Sequence, residues 1–452
     1  MRYLKVLASI VPAVLFSPDK AWAQDVLSFT REDISPGENL VSVEQGVSGD
    51  FNGDGHVDLV VGAYDLAIAS SQMFVMLGNG DGSFQPAQRV LPARSFATAV
   101  ADFDDDGHQD LAAGVDEAVA IRLGNGDGTF RPARDISGVI SRPDGVAAGD
   151  FNRDGVQDLA ISTFETGTGN VRIYLGNGDG TFRRCKDIEQ GTPTALAVGD
   201  FNGDGEPDLA AIDLQFEGNT PVSRMLIALG QGNGTFKTVS PQTAVSAEAR
   251  TLALGDFNSD GHQDVATADP NTDVLSVVLG NGDGTFQPAQ TIAPGVLPCQ
   301  GCLVQPMAIK VADFNGDGRQ DLATGNRRPS DPPIGSGVSV LLGRGDGTFE
   351  PAQEFATENG TASLFAEDFN HDGRPDLATA DHESSSLTIL LAGPMNVPLA
   401  VADPNRPAPP PASSSSEGAR SGGSGGGSFG SELWLLLAMV LGGYARRRRD
   451  PS

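Results

Sequence analysis

Seven short stretches of this chain place acidic and amide side chains at every second residue, the spacing that lets alternate oxygens converge on one cation. The first is Asp50-Phe51-Asn52-Gly53-Asp54-Gly55-His56-Val57-Asp58. Its donors are the side chains of Asp50, Asn52, Asp54 and Asp58 and the main-chain carbonyl of His56, while Gly55 takes the sharp bend. The register returns at Asp102, Asp104, Asp106, His108 and Asp110; at Asp150, Asn152, Asp154, Val156 and Asp158; and at Asp200, Asn202, Asp204, Glu206 and Asp208. It returns again at Asp256, Asn258, Asp260, His262 and Asp264; at Asp313, Asn315, Asp317, Arg319 and Asp321; and at Asp368, Asn370, Asp372, Arg374 and Asp376. Hard oxygen donors in this number suit calcium, one ion per loop and up to seven in the chain. Magnesium, which demands tight octahedral geometry and keeps its waters, suits them less well.

The loops are not EF-hands. An EF-hand needs a bidentate Glu at its twelfth position and a helix on each side, whereas the twelfth residues of the first and fourth loops are Val61 and Ala211. Ala195 to Val198 before the fourth loop and Asp208 to Ile212 after it read as strands, so each loop joins two strands. A single Asp/Asn/Gly run is equally a plain turn, but seven runs in one fixed register favour a metal site.

Crowded carboxylates repel when no metal is present. Two charges about 4 Å apart interact by up to ~4 kcal/mol at an effective dielectric of 20. Calcium reverses that sign. At dissociation constants of ~10⁻⁴ M, millimolar calcium stabilises each site by about 1.4 kcal/mol, and seven sites together by on the order of 10 kcal/mol. That is comparable with the whole stability of an ordinary domain, so the metal is expected to be mainly structural. The second loop carries Asp104 where the others have Asn, and hence one more negative charge.

What must position these loops is written in a second recurring phrase, Gly78-Asn79-Gly80-Asp81-Gly82-Ser83-Phe84, repeated at 124–130, 176–182, 230–236, 280–286 and 343–349. Each copy follows a strand-like run such as Val171-Arg172-Ile173-Tyr174-Leu175 and reads as a hairpin turn needing positive φ. One repeat is therefore strand, acidic loop, strand, variable connection, strand, Gly-rich turn, strand: a four-stranded antiparallel propeller blade. Loop-to-loop spacings of 48 to 57 residues suit such a unit, and seven of them predict an all-β, seven-bladed β-propeller over residues 24–396.

The seventh repeat ends at Ser386-Leu387-Thr388-Ile389-Leu390-Leu391, with no Gly-rich turn and no fourth strand. Phe29 to Ser35 resembles Phe130 to Ser137, the fourth strand of the second repeat. The N-terminal strand is therefore predicted to complete the last blade and so close the ring.

The two phrases together resemble the FG-GAP (VCBS-type) repeat of integrin α-subunit headpieces and many bacterial surface proteins, over residues 26 to about 393. The resemblance implies a seven-bladed propeller with calcium between the first and second strands of a blade and a carbonyl ligand at the seventh loop position, where His56, His108 and His262 stand. This chain departs from the integrin pattern in carrying the loop in every blade and in having no leg domains, which argues against integrin-like signalling.

Composition agrees. There are 59 acidic and 30 basic residues, a formal charge of -29, which makes nucleic acid an improbable partner. With 58 glycines and only 6% aromatics, a Gly-punctuated repeat fits better than a large helical core. Residues 1–23 read as a secretory signal peptide: Arg2 and Lys5, an apolar run from Leu7 to Phe16 that is short for a membrane span and interrupted by Pro12, then Ala21-Trp22-Ala23. Residues 397–430 form a Pro-, Ser- and Gly-rich linker. Residues 431–452 carry a short apolar segment, Leu433 to Ala445, before Arg446 to Arg449. With Gly425 to Ser428 this end resembles the GlyGly-CTERM sorting tail of Gram-negative bacteria. That resemblance implies at least transient membrane contact, cleavage by a sorting protease, and display on or release from the cell surface; a lasting inner-membrane anchor is the alternative.

In such a blade the acidic loops and Gly-rich turns share one face. Tyr64 to Gln72, Phe164 to Asn170, Leu214 to Ser223, Asn326 to Gly337 and the connection Gly295 to Met307 fall on the other, where unequal loops are free to bind a ligand. Arg344-Gly345-Asp346 spells an adhesion tripeptide but occupies a Gly-rich turn. Cys299 and Cys302 suit a local disulfide in an exported chain, Cys185 stands alone, and the histidines are not expected to form a transition-metal site. No catalytic constellation emerges. The sequence thus predicts an exported, surface-associated calcium-binding propeller that binds a protein or glycan. The alternative is a secreted, lyase-like polysaccharide-active enzyme, for which Arg327, Arg328, Tyr64, Phe164 and Phe216 are the candidates.

Overall fold

The computed structural model describes residues 26–394, apart from 38, 133, 137–142, 166–167, 189–192, 219, 296–303 and 328–336. The segments read as signal peptide, linker and C-terminal tail, with Arg328, Cys299 and Cys302, lie outside the described residues. Among those described, no helix is long and apolar enough to cross a membrane.

Regular structure consists of antiparallel strands in seven separate sheets. Blade 1 has an inner strand in two pieces, Leu40–Val41 and Gly46–Gly49, then Asp58–Asp65, Ser70–Met76 and Gln88–Leu91. Blade 2 is Ala97–Ala101, Asp110–Val115, Ala118–Arg122 and Arg134–Ile136; blade 3 is Pro143–Gly149, Asp158–Glu165, Thr168–Gly176 and Phe182–Arg184. Blade 4 runs Pro193–Gly199, Asp208–Glu217, Thr220–Gly230 and Phe236–Thr238, and Thr243–Ala244 adds a short fifth strand against Arg224 and Met225. Blade 5 is Thr251–Gly255, Asp264–Asp269, Val274–Val278 and Gln290–Ile292; blade 6 is Pro306–Ala312, Asp321–Asn326, Gly337–Leu341 and Gln353–Ala356. Blade 7 takes Thr361–Glu367, Asp376–Asp381 and Ser386–Ala392 from the end of the chain and Phe29–Ile34 from its beginning. The first strands of successive blades touch in a closed circle, blade 7 against blade 1 included, so they ring a common axis.

The predicted closure holds to the residue. Ile34 pairs with Leu387 and Glu32 with Ile389, as Ile136 pairs with Val119 and Arg134 with Ile121 in blade 2.

Buried apolar residues form seven clusters, one at each blade interface. Strand alternation explains this. Leu59 and Val61 face the cluster shared with blade 7, whereas Val60 between them faces the cluster shared with blade 2. A second strand covered on both sides is apolar at nearly every position, so it reads as a continuous run.

The Phe at the second loop position seals these interfaces. Phe51, Phe103, Phe151, Phe201 and Phe257 each meet the Phe that ends the next blade's Gly-rich turn, at centroid separations of 5.3 to 5.8 Å. The last Gly of that turn donates its N–H to the same loop Phe carbonyl at 2.8 to 3.0 Å, as Gly128 does to Phe51. A side chain there would strike a neighbouring leucine: a Cβ on Gly128 would stand 2.7 Å from Leu77.

Candidate metal centre and ligand face

Each acidic loop is bent around its own amides. The Asp at the first position accepts the N–H of the Gly at the sixth at 2.7 to 3.0 Å in all seven loops. The Asp at the fifth accepts the N–H of the seventh residue at 2.8 to 3.0 Å. These bonds hold the side chains of positions one and five against the loop's own backbone. In blade 2 one oxygen each from Asp102, Asp104 and Asp106 lie within 4.8 Å of one another. Two ligands on opposite sides of a calcium ion, at ~2.4 Å each, stand about that far apart, so the donor set fits the ion.

The ninth position is built differently from the rest. Asp58, Asp110, Asp158, Asp208, Asp264, Asp321 and Asp376 are all 0% exposed. In each, one oxygen accepts the N–H of the Phe at the second loop position at 2.7 to 3.1 Å. The other accepts the N–H of the first Gly of the same blade's Gly-rich turn, or of Ala392 in blade 7, at 2.6 to 2.8 Å. This carboxylate therefore rivets loop to turn, a role the ligand spacing alone does not announce.

Burial pushes Asp58 up to about 6 against these two hydrogen bonds, and the charges of Asp54 and Asp50 push the same way. Asp110, Asp158, Asp208, Asp264 and Asp376 are raised to about 6 and Asp321 to about 7, again chiefly by burial. A pocket of carboxylates that resists full ionisation is one that a cation would stabilise.

The seventh residue lies against the third residue of the Gly-rich turn: an added Cβ on Gly80 would meet the His56 ring at 2.4 Å and one on Gly126 the His108 ring at 2.3 Å. Loops and turns thus share one face, as predicted. Four loops also meet a cation of their own chain, Glu206 of blade 4 pairing with Arg153 of the blade 3 loop. Arg131 places Nη1 2.6 Å from Asp104 Oδ2 and Nη2 2.5 Å from Asp106 Oδ2, offsetting the extra charge of blade 2. Arg319 reaches Asp317 at 3.3 Å and Arg374 reaches Asp372 at 2.6 Å. Across the closing seam, His56 Nδ1 and His371 Nε2 stand 2.6 Å apart.

The sequence reading missed two inter-blade contacts. Besides the Phe pairs, Gln109 Oε1 accepts the Asp50 N–H at 2.8 Å and Gln320 Oε1 accepts the Asp256 N–H at 2.7 Å, each tying one blade's loop to its neighbour's. The eighth loop position alternates among Val, Gln and Pro, and that Gln is the one signal that could have revealed it.

Arg344-Gly345-Asp346 is a Gly-rich turn. Gly345 has φ +70°, Arg344 Nη1 donates to the Phe349 carbonyl at 2.8 Å, and Asp346 Oδ1 accepts both the N–H and the hydroxyl of Thr348. Cys185 is a free, half-buried thiol whose Sγ lies 3.4 Å from the Gly234 carbonyl.

On the opposite face, segments read as loops prove to be longer hairpins. The blade 4 ladder continues to Glu217 opposite Thr220, and the blade 3 ladder to Glu165 opposite Thr168. Leu66 and Ile68 at the blade 1 hairpin and Phe216 in blade 4 are exposed. Tyr64, Phe216 and Arg327 stand on blades 1, 4 and 6 and are not brought together. A cavity of about 250 Å³ opens at the axis, with Glu44, Arg94, Phe96, Met307, Arg327 and His382 among its lining.

A family model described as FG-GAP-like repeat matches residues 50–113, 102–161, 158–211, 256–324 and 329–379, more than half of the chain. No curated protein matches. Among solved structures, an Agrocybe aegerita lectin described as specifically recognising non-reducing terminal N-acetylglucosamine is similar at 21% identity and a TM-score of 0.49, over 76% of this chain and 87% of its own. A Lactobacillus plantarum protein is similar at 13% identity and a TM-score of 0.44, over 74% and 91%.

Proposed function

This chain belongs to the FG-GAP-like repeat family, and from that premise we propose that it is an exported, surface-associated propeller that calcium stiffens on one face and that binds a glycan or protein on the other. The observation carrying this reading is the division of labour between the faces. One repeats the same acidic loop in every blade, bent around its own amides. The other carries hairpins of unequal length, exposed apolar side chains at Leu66, Ile68 and Phe216, and the axial cavity. A face released from repeat constraints is where a rigid scaffold accommodates a ligand.

Calcium would be held by the side chains at positions one, three, five and nine and the carbonyl of position seven, and its contribution would be structural. Binding to a glycan array, with and without EDTA, tests the reading together with calorimetric titration of calcium into chelated protein. The expected result is calcium-dependent retention of defined glycans and a melt that rises with calcium. A melt indifferent to EDTA, with no calcium heat, rules out the metal role.

A further inference from the structure

Resting on the binding-module reading, we propose that the axial cavity is the ligand site and that it takes a single neutral, polyhydroxylated ring, such as the terminal hexopyranose of a glycan. Its walls come from blades 6, 7, 1 and 2: Met307 and Arg327, His382, Glu44, and Arg94 with Phe96. Blades 6 and 2 are separated by two others, so they can share a cavity only beside the axis. These residues lie at or just beyond the outer ends of the first and second strands, on the face opposite the acidic loops.

The polar groups come as pairs of opposite charge. Arg94 Nε donates to Glu44 Oε2 at 2.8 Å, and His382 Nε2 stands 4.0 Å from Glu44 Oε1. Arg327 donates through Nε and Nη2 to Glu383 Oε1 at 3.2 and 2.9 Å. Each guanidinium is thereby oriented by one edge, and the Arg94 Nη groups make no hydrogen bond among the described residues. Arg94 is paired with Glu44 in the lining and Arg327 with Glu383 just outside it, so each guanidinium already has its carboxylate partner. An anionic ligand would have to displace those carboxylates from their arginines, and a cation would meet the guanidiniums.

What remains is a neutral solute rich in both donors and acceptors. Adjacent hydroxyls accept from a guanidinium and donate to a carboxylate, and a fixed Arg–Glu pair presents both at once. Phe96, with the Arg94 guanidinium carbon 5.2 Å from its centroid, and Met307 supply an apolar wall for the C–H face of a sugar ring. At about 250 Å³ the cavity holds roughly eight waters at ~30 Å³ each, room for one sugar ring.

The test uses the calcium-loaded protein without its signal segment on a glycan array, with free neutral hexoses and a free uronate as competitors in solution. Arg94→Ala and Arg327→Ala are compared with wild type, with Phe216→Ala on the blade 4 hairpin as the control and a melt for each variant. We expect neutral terminal sugars to be retained, free neutral hexose to compete, and each arginine variant to bind at least tenfold more weakly at an unchanged melting temperature, with Phe216→Ala unaffected. Arg94→Lys should restore part of the Arg94→Ala loss. Binding that both arginine variants preserve overturns the cavity assignment while leaving the binding module standing. A profile confined to acidic sugars, or one that free hexose cannot compete, overturns the ligand class. An array blank with and without calcium, for a protein that melts cooperatively, overturns the glycan-binding module itself and this site with it.

Discussion

Phe84 and Phe369 meet nearly edge-on across the seam between the first and last blades, with centroids 5.8 Å apart and planes at 66°. Behind them the Gly82 N–H reaches the Phe369 carbonyl at 3.0 Å. The seam is therefore built like an internal interface, although its two sides are the ends of the repeat array. The interface between blades 6 and 7 has no such pair, because blade 7 lacks the Gly-rich turn. Leu27, only 6% exposed, joins Phe314 in that cluster, and Phe29 packs on Phe355 at 4.8 Å. The N-terminal segment thus supplies a fourth strand and fills the one interface that the repeats leave open.

Deleting residues 26–36 should consequently lower the melting temperature sharply, since it strips blade 7 of its outer strand and uncovers Phe314 and Phe355. Phe369→Ala, which removes a buried ring from the seam, should cost about 3–5 kcal/mol in urea titration. A deletion that melts like the intact chain would show that the ring does not depend on its closing strand.

Two aspartates of one loop should separate scaffold from metal. Asp58→Ala leaves the buried N–H groups of Phe51 and Gly78 without acceptors, at about 1–3 kcal/mol each, and should destabilise the protein with and without calcium. Asp50→Ala touches only the exposed bend, where Gly53 and Gly55 can turn to water, and should matter only when calcium is present. Urea midpoints of both variants in calcium and in EDTA check this. Equal losses in both media for Asp50→Ala would remove it from the metal set.

Acid should weaken calcium binding well above the ordinary carboxylate range. Bound calcium requires ionised ligands, and burial raises Asp58 and its equivalents to about 6 in the metal-free protein. As pH falls through about 6 each such site must release a proton to bind, so affinity should drop by up to about tenfold per unit. Calorimetry at pH 7.5 and pH 5 in buffers of different ionisation heat would show both the loss and the proton release. An affinity level between those pH values would mean that the ninth residue is not a ligand.

The ring, its blade count, the closing strand and the acidic loops were legible in the sequence because each rests on a local signal repeated in register: alternate acids, a Gly at the left-handed sixth loop position, an apolar run of strand length. Asp58 was legible as an acid at the ninth position but not as a rivet, because its partner Gly78 comes from another turn. The Phe pairs join different repeats, as Phe51 joins Phe130, so no single repeat discloses them. Arg94, Phe96 and His382 went unnoticed because the cavity draws one or two residues from each of several blades, and nothing periodic marks them.

Blade 2 offers a measure of how the chain tempers its own charge. Arg131 bonds to Asp104 and Asp106 at 2.6 and 2.5 Å, inside the loop with the additional acid. Arg131→Gln frees those oxygens and removes a positive charge from the site. Its calcium affinity should then rise, by about tenfold or less given the exposure of the guanidinium, while the other loops are unchanged. Luminescence of a bound lanthanide or stepwise calorimetry would resolve the altered site. A uniform shift in all sites would mean that Arg131 acts on the net charge and not locally.

Asp381 provides a pH dependence separate from the acidic loops. It is fully buried and accepts the hydroxyls of Thr361 at 3.1 Å, Thr379 at 3.0 Å and Thr388 at 2.8 Å, and the Thr388 hydroxyl also lies 3.1 Å from Asp33 Oδ1 on the closing strand. Burial raises this carboxyl to about 7 despite the three hydroxyls, with Glu358 pushing the same way. The native state therefore holds a proton that the unfolded chain gives up near 3.9. Its contribution is fully present below that value and is lost as pH rises to about 7, by roughly 1.4 kcal/mol per unit through the window. Asp381→Asn is neutral throughout and should lack this slope, so its stability relative to wild type should improve from pH 4 to pH 7 and level off above. Urea midpoints of the pair at each pH decide it, and a constant gap would mean that Asp381 is ionised in the folded protein.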